Sequence, residues 1–200
     1  MGSVAELRLA ELQHRVLGNF HLLHALIAIR LRSVSDPESR RHLGWVSDIV
    51  AALGLLNRRL AEGRMDDFAE YLEEVVGFWR RVCAGRSLEL ELEADSVRLD
   101  ETLATSLAII VHELLAGAIG HALPGGRPAR VTVRLAGSHG PLTLTVADDR
   151  DEDAEVAEEG LNLARGLAEH LGGALTVDRR GGFAATISLP KAGLPAGAAH

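Results

Sequence analysis

An α+β fold is predicted from the 200-residue sequence: an N-terminal antiparallel helical hairpin, paired with a second copy into a dimeric four-helix bundle, and then an α/β sandwich. Three observations predict it. Residues 4–60 repeat apolar side chains at three- and four-residue spacing, the period of an amphipathic helix. The run Leu88-Glu89-Leu90-Glu91-Leu92-Glu93 alternates strictly, the period of a half-buried strand. Beyond it, short β-branched runs follow helix-length stretches in an order that suits helices packed on one face of a sheet.

The first helix is expected over residues 4–32. Asp36-Pro37-Glu38 is a helix start, with Asp36 as cap and Pro37 in the first turn, and the second helix is expected to run to about Leu60. Its apolar positions Leu43, Val46, Val50, Leu53 and Leu60 are joined by a second ridge at Trp45, Ile49 and Leu56. Apolar faces this wide exceed what one hairpin covers; a second copy would cover them, the alternative being the rest of the same chain. Near Gly63 the pattern changes. A helix over 66–82 presents Phe68, Leu72, Val75, Val76 and Trp79, and the Leu-Glu strand follows. A long helix is expected from about Asp100 to Ala122. Strands at Val131–Leu135 and Leu142–Val146 are joined by a Gly-containing turn. After an acidic loop come a helix from about Gly160 to Leu171 and strands near 174–178 and 183–189. The expected domains are therefore 1–63 and 64–190, with a frayed tail over 191–200.

Composition narrows the function classes. The chain is 47% hydrophobic and 24% charged, as soluble globular proteins are. Its apolar stretches fall short of a membrane span and no signal-peptide pattern opens it, so a cytoplasmic protein without membrane contact is expected. The single cysteine, Cys83, excludes a disulfide framework and reads as a buried or incidental thiol. Residues 1–64 hold nine Lys/Arg against six Asp/Glu, and the remainder twelve against twenty-two. No basic stripe with interleaved aromatics occurs, which argues against nucleic-acid binding. The mildly basic helical half suits an acidic protein surface instead.

His14 is the residue most suggestive of chemistry. At about 100° per residue, Leu9, Leu12, Val16, Phe20, Leu23, Leu26 and Ile27 all lie roughly 120–180° around the helix from it. A histidine so placed is either an idle surface residue or an imidazole offered to a partner, able to accept and release a group near neutral pH. Glu11, one turn earlier, would orient its ring or accept its proton, or is simply solvated. Arg15 would steady a phosphoryl group, or forms a surface ion pair. Leu7 and Leu17 flank His14 on the side expected to face solvent and, with Gly18 and His21, form a candidate docking patch. His21 is the alternative acceptor. A metal pair at His21 and His24 lacks a third ligand.

The order of elements and several motifs resemble the sensor histidine kinases of bacterial two-component systems. In one subgroup a His-Arg-x-x-Asn-type segment carries the phospho-accepting histidine, and His14-Arg15-Val16-Leu17-Gly18-Asn19 is similar to it, with the Asn one position later. His112-Glu113-Leu114-Leu115-Ala116-Gly117-Ala118 resembles the Asn-bearing helix of the family's ATP-binding sandwich. Val146-Ala147-Asp148-Asp149 resembles the strand end bearing the adenine-binding Asp, and Gly160-Leu161-Asn162-Leu163 the second glycine box. The resemblance covers about residues 5–190. It implies the bundle-plus-sandwich fold, dimerisation, receiver-domain partners, and His14 as phosphoacceptor with Glu11, Arg15 and Asn19 around it.

The departures from the family pattern fall on the nucleotide. Gly117 stands where the family keeps its Mg²⁺-coordinating Asn. The glycines expected after Asp148 are Arg150 and Glu152, and the second glycine of the later box is Asn162. Eight acidic residues and one Arg lie between Asp148 and Glu159, the wrong sign for a triphosphate. A calcium loop is excluded there, because Ala154 and Gly160 replace the glycine and glutamate it needs. Glu113, Gly117, Asp148 and Gly160 thus mark a degenerate nucleotide site. The expectation is a histidine phosphotransferase that moves phosphate between receiver aspartates through His14. It needs no cofactor of its own, since the receiver supplies Mg²⁺. An ATP-dependent kinase with atypical boxes and a receiver-binding adaptor are the alternatives.

Overall fold

The computed structural model describes residues 4–62, 67–122, 128–138, 140–149 and 158–190, and side chains within them from Arg15 onward except those of residues 41, 60, 121, 122, 158 and 159. Two compact units divide the chain, Met1–Met65 and Asp66–His200.

The first unit is a hairpin of α1 (Val4–Ser33) and α2 (Pro37–Ala61). The turn is closed by the side chain that the sequence offers for it. Ser39 N donates to Asp36 Oδ2 at 2.7 Å, which satisfies a backbone donor of the first turn of α2. Hydrogen bonds from the Ser39 side chain and then its backbone hold the Asp36 carboxyl below the usual carboxylate range. Arg40 donates back across the turn to the Val34 carbonyl. Along α2, Ala52 and Leu56 are buried, and Asn57, the polar position of the apolar ridge, turns its amide to the Leu53 carbonyl at 2.9 Å.

The second unit opens with α3 (Phe68–Val82), then runs β1 (Leu88–Ala94), α4 (Glu101–Ala122), β2 (Ala129–Ala136), β3 (Leu142–Asp148), α5 (Glu158–His170), β4 (Ala174–Asp178) and β5 (Phe183–Leu189). The helix expected from Asp66 begins at Phe68 because Asp67 is its cap, accepting from Ala69 N and also from Val97 N. Asp100 caps α4 in the same way, through Leu103 N at 2.8 Å. The sheet order is β1-β2-β3-β5-β4, parallel between β1 and β2 and antiparallel elsewhere. A parallel pair needs a long crossover, and α4 supplies it.

Alternation along the strands sorts the two faces. Val131, Val133, Leu135, Leu142, Leu144, Val146, Phe183, Ala185 and Ile187 are buried beneath the helices. Thr132, Thr143, Thr145, Thr186 and Ser188 take the other face, where Thr145 and Thr186 share a 3.0 Å hydrogen bond. Helix α4 packs on β2 and β3, α5 on β4 and β5, and α3 on β1. Arg80 of α3 donates to the Leu90 carbonyl, occupying an acceptor of the edge strand. Across β1 and β2, Arg130 and Arg134 pair with Glu89 and Glu93, exposed contacts that contribute little stability.

Among the described residues one stretch, Glu101–Gly120, is long and apolar enough to cross a membrane (mean hydropathy 1.7). It is the central helix of the sandwich, 67% buried there.

Candidate functional site

The candidate residues fall in two places, one in each unit. In the first unit they lie on α1. His14, Glu11 and Leu7 belong to that helix, and their side chains are outside the described residues. Arg15, Gly18, Asn19 and His21 are exposed.

Leu17 departs from the expectation. It is half-buried, not on the solvent side. The half-buried residues Leu17, Phe20, Ile27, Ala28 and Leu31 share an arc of about 100°. Phe20 approaches Gly54 of α2 on that arc: a Cβ built on Gly54 would lie 3.5 Å from Phe20 Cβ. Leu17, one turn earlier, is drawn into the same seam. The docking patch therefore loses Leu17.

The rest of the apolar stripe is left open within the single chain. Val16 is 42% exposed, Leu23 48% and Leu26 53%. Leu22 and Ile29, which the sequence reading passed over, are 58% and 63% exposed. Leu22, Leu26 and Ile29 lie roughly opposite the α2 seam and Val16 and Leu23 flank it, over about 20 Å of helix at 1.5 Å per residue. Trp45 and Val46 of α2 are exposed too. The signal for Leu22 and Ile29 was available, since they stand one heptad apart.

In the second unit the candidates gather on α4, the start of α5 and the end of β3. Glu113 and His112 are each 7% exposed on α4. Burial holds the His112 ring neutral, pushing its pKa down to about 4. Its Nε2 has no hydrogen-bond partner, and neither has Nε1 of Trp79, whose ring centroid is 6.0 Å away. Trp79 and His112 tie α3 to α4, a contact no sequence pattern announced.

Gly160, in the first turn of α5, lies directly against Glu113. A Cβ built on Gly160 would be 3.0 Å from Glu113 Oε2, so a carboxylate oxygen faces the helix start here. Gly117 follows Glu113 by one turn and is bordered by open space, with nothing within 4 Å of a built Cβ. Asp148 ends β3 and is 6% exposed. Its carbonyl oxygen sits against Gly182, whose φ of +127° and closeness to that oxygen exclude a side chain. Asp149 is fastened to β2, its Oδ1 accepting from Arg130 N at 2.7 Å. Asn162 is exposed and accepts from Arg165 at 2.7 Å. Arg150, Glu152 and most of the acidic loop lie outside the described residues, as does the tail over 191–200.

The chain is similar to known proteins along most of its length. Residues 11–82 match the HisKA_2 family model, described as histidine kinase. Blue-light-activated histidine kinase 2 of Erythrobacter litoralis is 27% identical over 198 residues, covering 92% of this chain and 57% of that protein. Sensor histidine kinase PdtaS of Mycobacterium tuberculosis is 27% identical over 162 residues, 79% of this chain and 30% of its own length. The solved Erythrobacter litoralis EL346 blue-light activated histidine kinase superposes with a TM-score of 0.67 at 26% identity, over 95% of this chain and 61% of that one. The chain thus spans less than two thirds of each of these relatives. The match over residues 11–82 and the likeness that runs on through the sandwich make this chain similar to the histidine kinases in both units.

Proposed function

We propose that the chain is a histidine phosphotransferase of a two-component phosphorelay. Residues 1–63 form the dimerising phosphotransfer hairpin, and residues 64–190 a sandwich that has lost its nucleotide. His14 takes a phosphoryl group from a receiver-domain aspartate and hands it to another receiver. In the first step an imidazole nitrogen attacks phosphorus. The N–P bond forms, the P–O bond to the aspartate breaks, and the aspartate leaves as a carboxylate. The proton on the second ring nitrogen stabilises the cationic product or leaves to solvent. Glu11 orients the ring, and Arg15 and Asn19 face the transferred group. Gly18 and His21 belong to the surface the receiver meets, extended by exposed Leu22 and Ile29.

The observation that carries the ATP-free part is Gly117. Mg-ATP needs cations, metal ligands or backbone N–H groups around its phosphates. One turn after Glu113, α4 offers Gly117, which has no metal-ligating atom on a side chain. This position does not fit the nucleotide's metal, so no step passes through it. The reading places the protein in the cytoplasm, as a homodimer, with receiver domains as partners and no nucleic acid or membrane.

One observation favours a second reading, an autokinase with atypical boxes: the 27% identity to a protein named as a light-activated histidine kinase runs across 92% of the chain. Label separates the readings. Incubation with γ-labelled Mg-ATP should leave the chain unlabelled, and calorimetry at millimolar ligand should show no saturable heat. A phosphorylated receiver should label it. A dissociation constant for Mg-ATP near 100 μM, about −5.5 kcal/mol, contradicts the ATP-free reading. Stable receiver binding without label is the result expected of an adaptor.

A further inference from the structure

A cleft of about 490 Å³ lies between α5 and β4, lined by Leu161, Asn162, Arg165, Val177 and Arg179. We propose that it binds a phosphate monoester carrying a short apolar group.

The cleft shares Asn162 with the second glycine box but lies on another flank of α5 from the one that meets Glu113. Gly160 marks the flank of α5 that meets Glu113 of α4. Asn162 and Arg165 lie roughly 140–160° around the helix from Gly160, on the opposite flank. On the strand side, Val177 and Arg179 are two residues apart and share the face toward α5. Asp178 alternates to the other face, where its carboxylate holds Arg180 at 3.1 Å. Among the described residues, the lining holds two cations and no carboxylate. This is a local reversal in a half of the chain that holds twelve basic against twenty-two acidic residues.

The chemistry of the lining selects the ligand. Arg165 Nη1 donates to Asn162 Oδ1 at 2.7 Å. That bond uses one of the five guanidinium N–H donors and leaves the others for an anion. Two guanidinium groups match the near −2 charge of a phosphate monoester at neutral pH and favour paired hydrogen bonds to its oxygens. The floor is apolar, with Leu161 buried and Val177 half-buried. An ester group of a few carbons would rest on it, and inorganic phosphate would leave it bare. The volume is within the range of small-ligand sites.

Phenyl phosphate is the probe, titrated into the full chain with backbone amide shifts as readout. Saturable shifts centred on residues 161, 177 and 179 are expected, with affinity falling as salt rises. Arg165→Gln and Arg179→Gln should each weaken binding about tenfold or more. Both side chains are exposed, so the fold should hold, and unchanged shifts at Val133 and Leu144 check it. Inorganic phosphate should bind about tenfold more weakly. No saturable shift at about 10 mM phenyl phosphate overturns the proposal, and so does binding by both arginine variants as tight as that of wild type. Equal affinity for inorganic phosphate overturns the apolar half of it.

Discussion

Placing an aspartate at Leu23 should break the association of two copies while leaving each copy folded. Leu23 sits on α1 with 48% of its surface exposed in the single chain. Fully burying a leucine stabilises by about 1.5–3 kcal/mol, so about 1 kcal/mol remains to be gained at this side chain when a second copy covers it. A two-fold interface uses the residue twice, which makes the loss about 2 kcal/mol, or roughly 30-fold in dimer affinity. A carboxylate forced into the same seam weakens it further. Inside one copy the substitution gives up the half of the side chain already covered, about 1 kcal/mol, and costs about half a kcal/mol in helix propensity. Sedimentation velocity over a dilution series should show wild type as a dimer at micromolar concentration. Leu23→Asp should dissociate at concentrations at least about 30-fold higher, with an unchanged far-ultraviolet spectrum. Wild type that is monomeric at micromolar concentration, or a variant that associates as tightly, refutes the assignment of this face to a second copy.

Two stability outcomes follow from buried or close-packed positions. His112 is held neutral by burial with a pKa of about 4, against about 6.5 in the unfolded chain. Between those values the unfolded state binds the extra proton. The stability tied to His112 is therefore full above about pH 6.5 and declines as pH falls toward 4, by about 3 kcal/mol. Urea unfolding at pH 7 and pH 4.5 should show the loss, and His112→Gln should remove most of its own share; equal slopes in both proteins contradict the burial account. Gly182→Ala should cost about 2 kcal/mol or more, because φ is +127° and a Cβ would overlap the Asp148 carbonyl oxygen. Gly117→Ala, with open space around its Cβ, should instead stabilise α4 by about 0.5–1 kcal/mol. The two urea midpoints should move in opposite directions, and a shared direction refutes the reading of one site.

Much of the fold is written in local patterns. The Leu-Glu alternation of β1 and the capping aspartates Asp36 and Asp100 each act within a few residues, so the sequence displays them directly. What it does not display is which arc of an amphipathic helix its neighbour takes. Leu17 and Leu23 are both leucines on α1, yet the approach of Phe20 to Gly54 draws the first inward and leaves the second open. The same limit applies wherever distant segments meet. The contact of Trp79 with His112 joins residues 33 positions apart, and the α5–β4 cleft joins Arg165 to Arg179. The departures of Gly117 and Asn162 from the family pattern are legible one residue at a time. The position of the Glu113 carboxylate against Gly160 is a product of helix packing, and only the folded chain reveals it.

The central claim, that His14 carries phosphate without ATP, is tested most directly by label transfer from a phosphorylated receiver domain to wild type and to His14→Gln. Wild type should take up label that acid removes and alkali does not, as an N–P bond requires. His14→Gln should take up none while keeping its dimer and its unfolding midpoint. Transfer at an undiminished rate to His14→Gln would contradict the assignment and direct attention to His21, and a wild type that no receiver labels would contradict the relay itself.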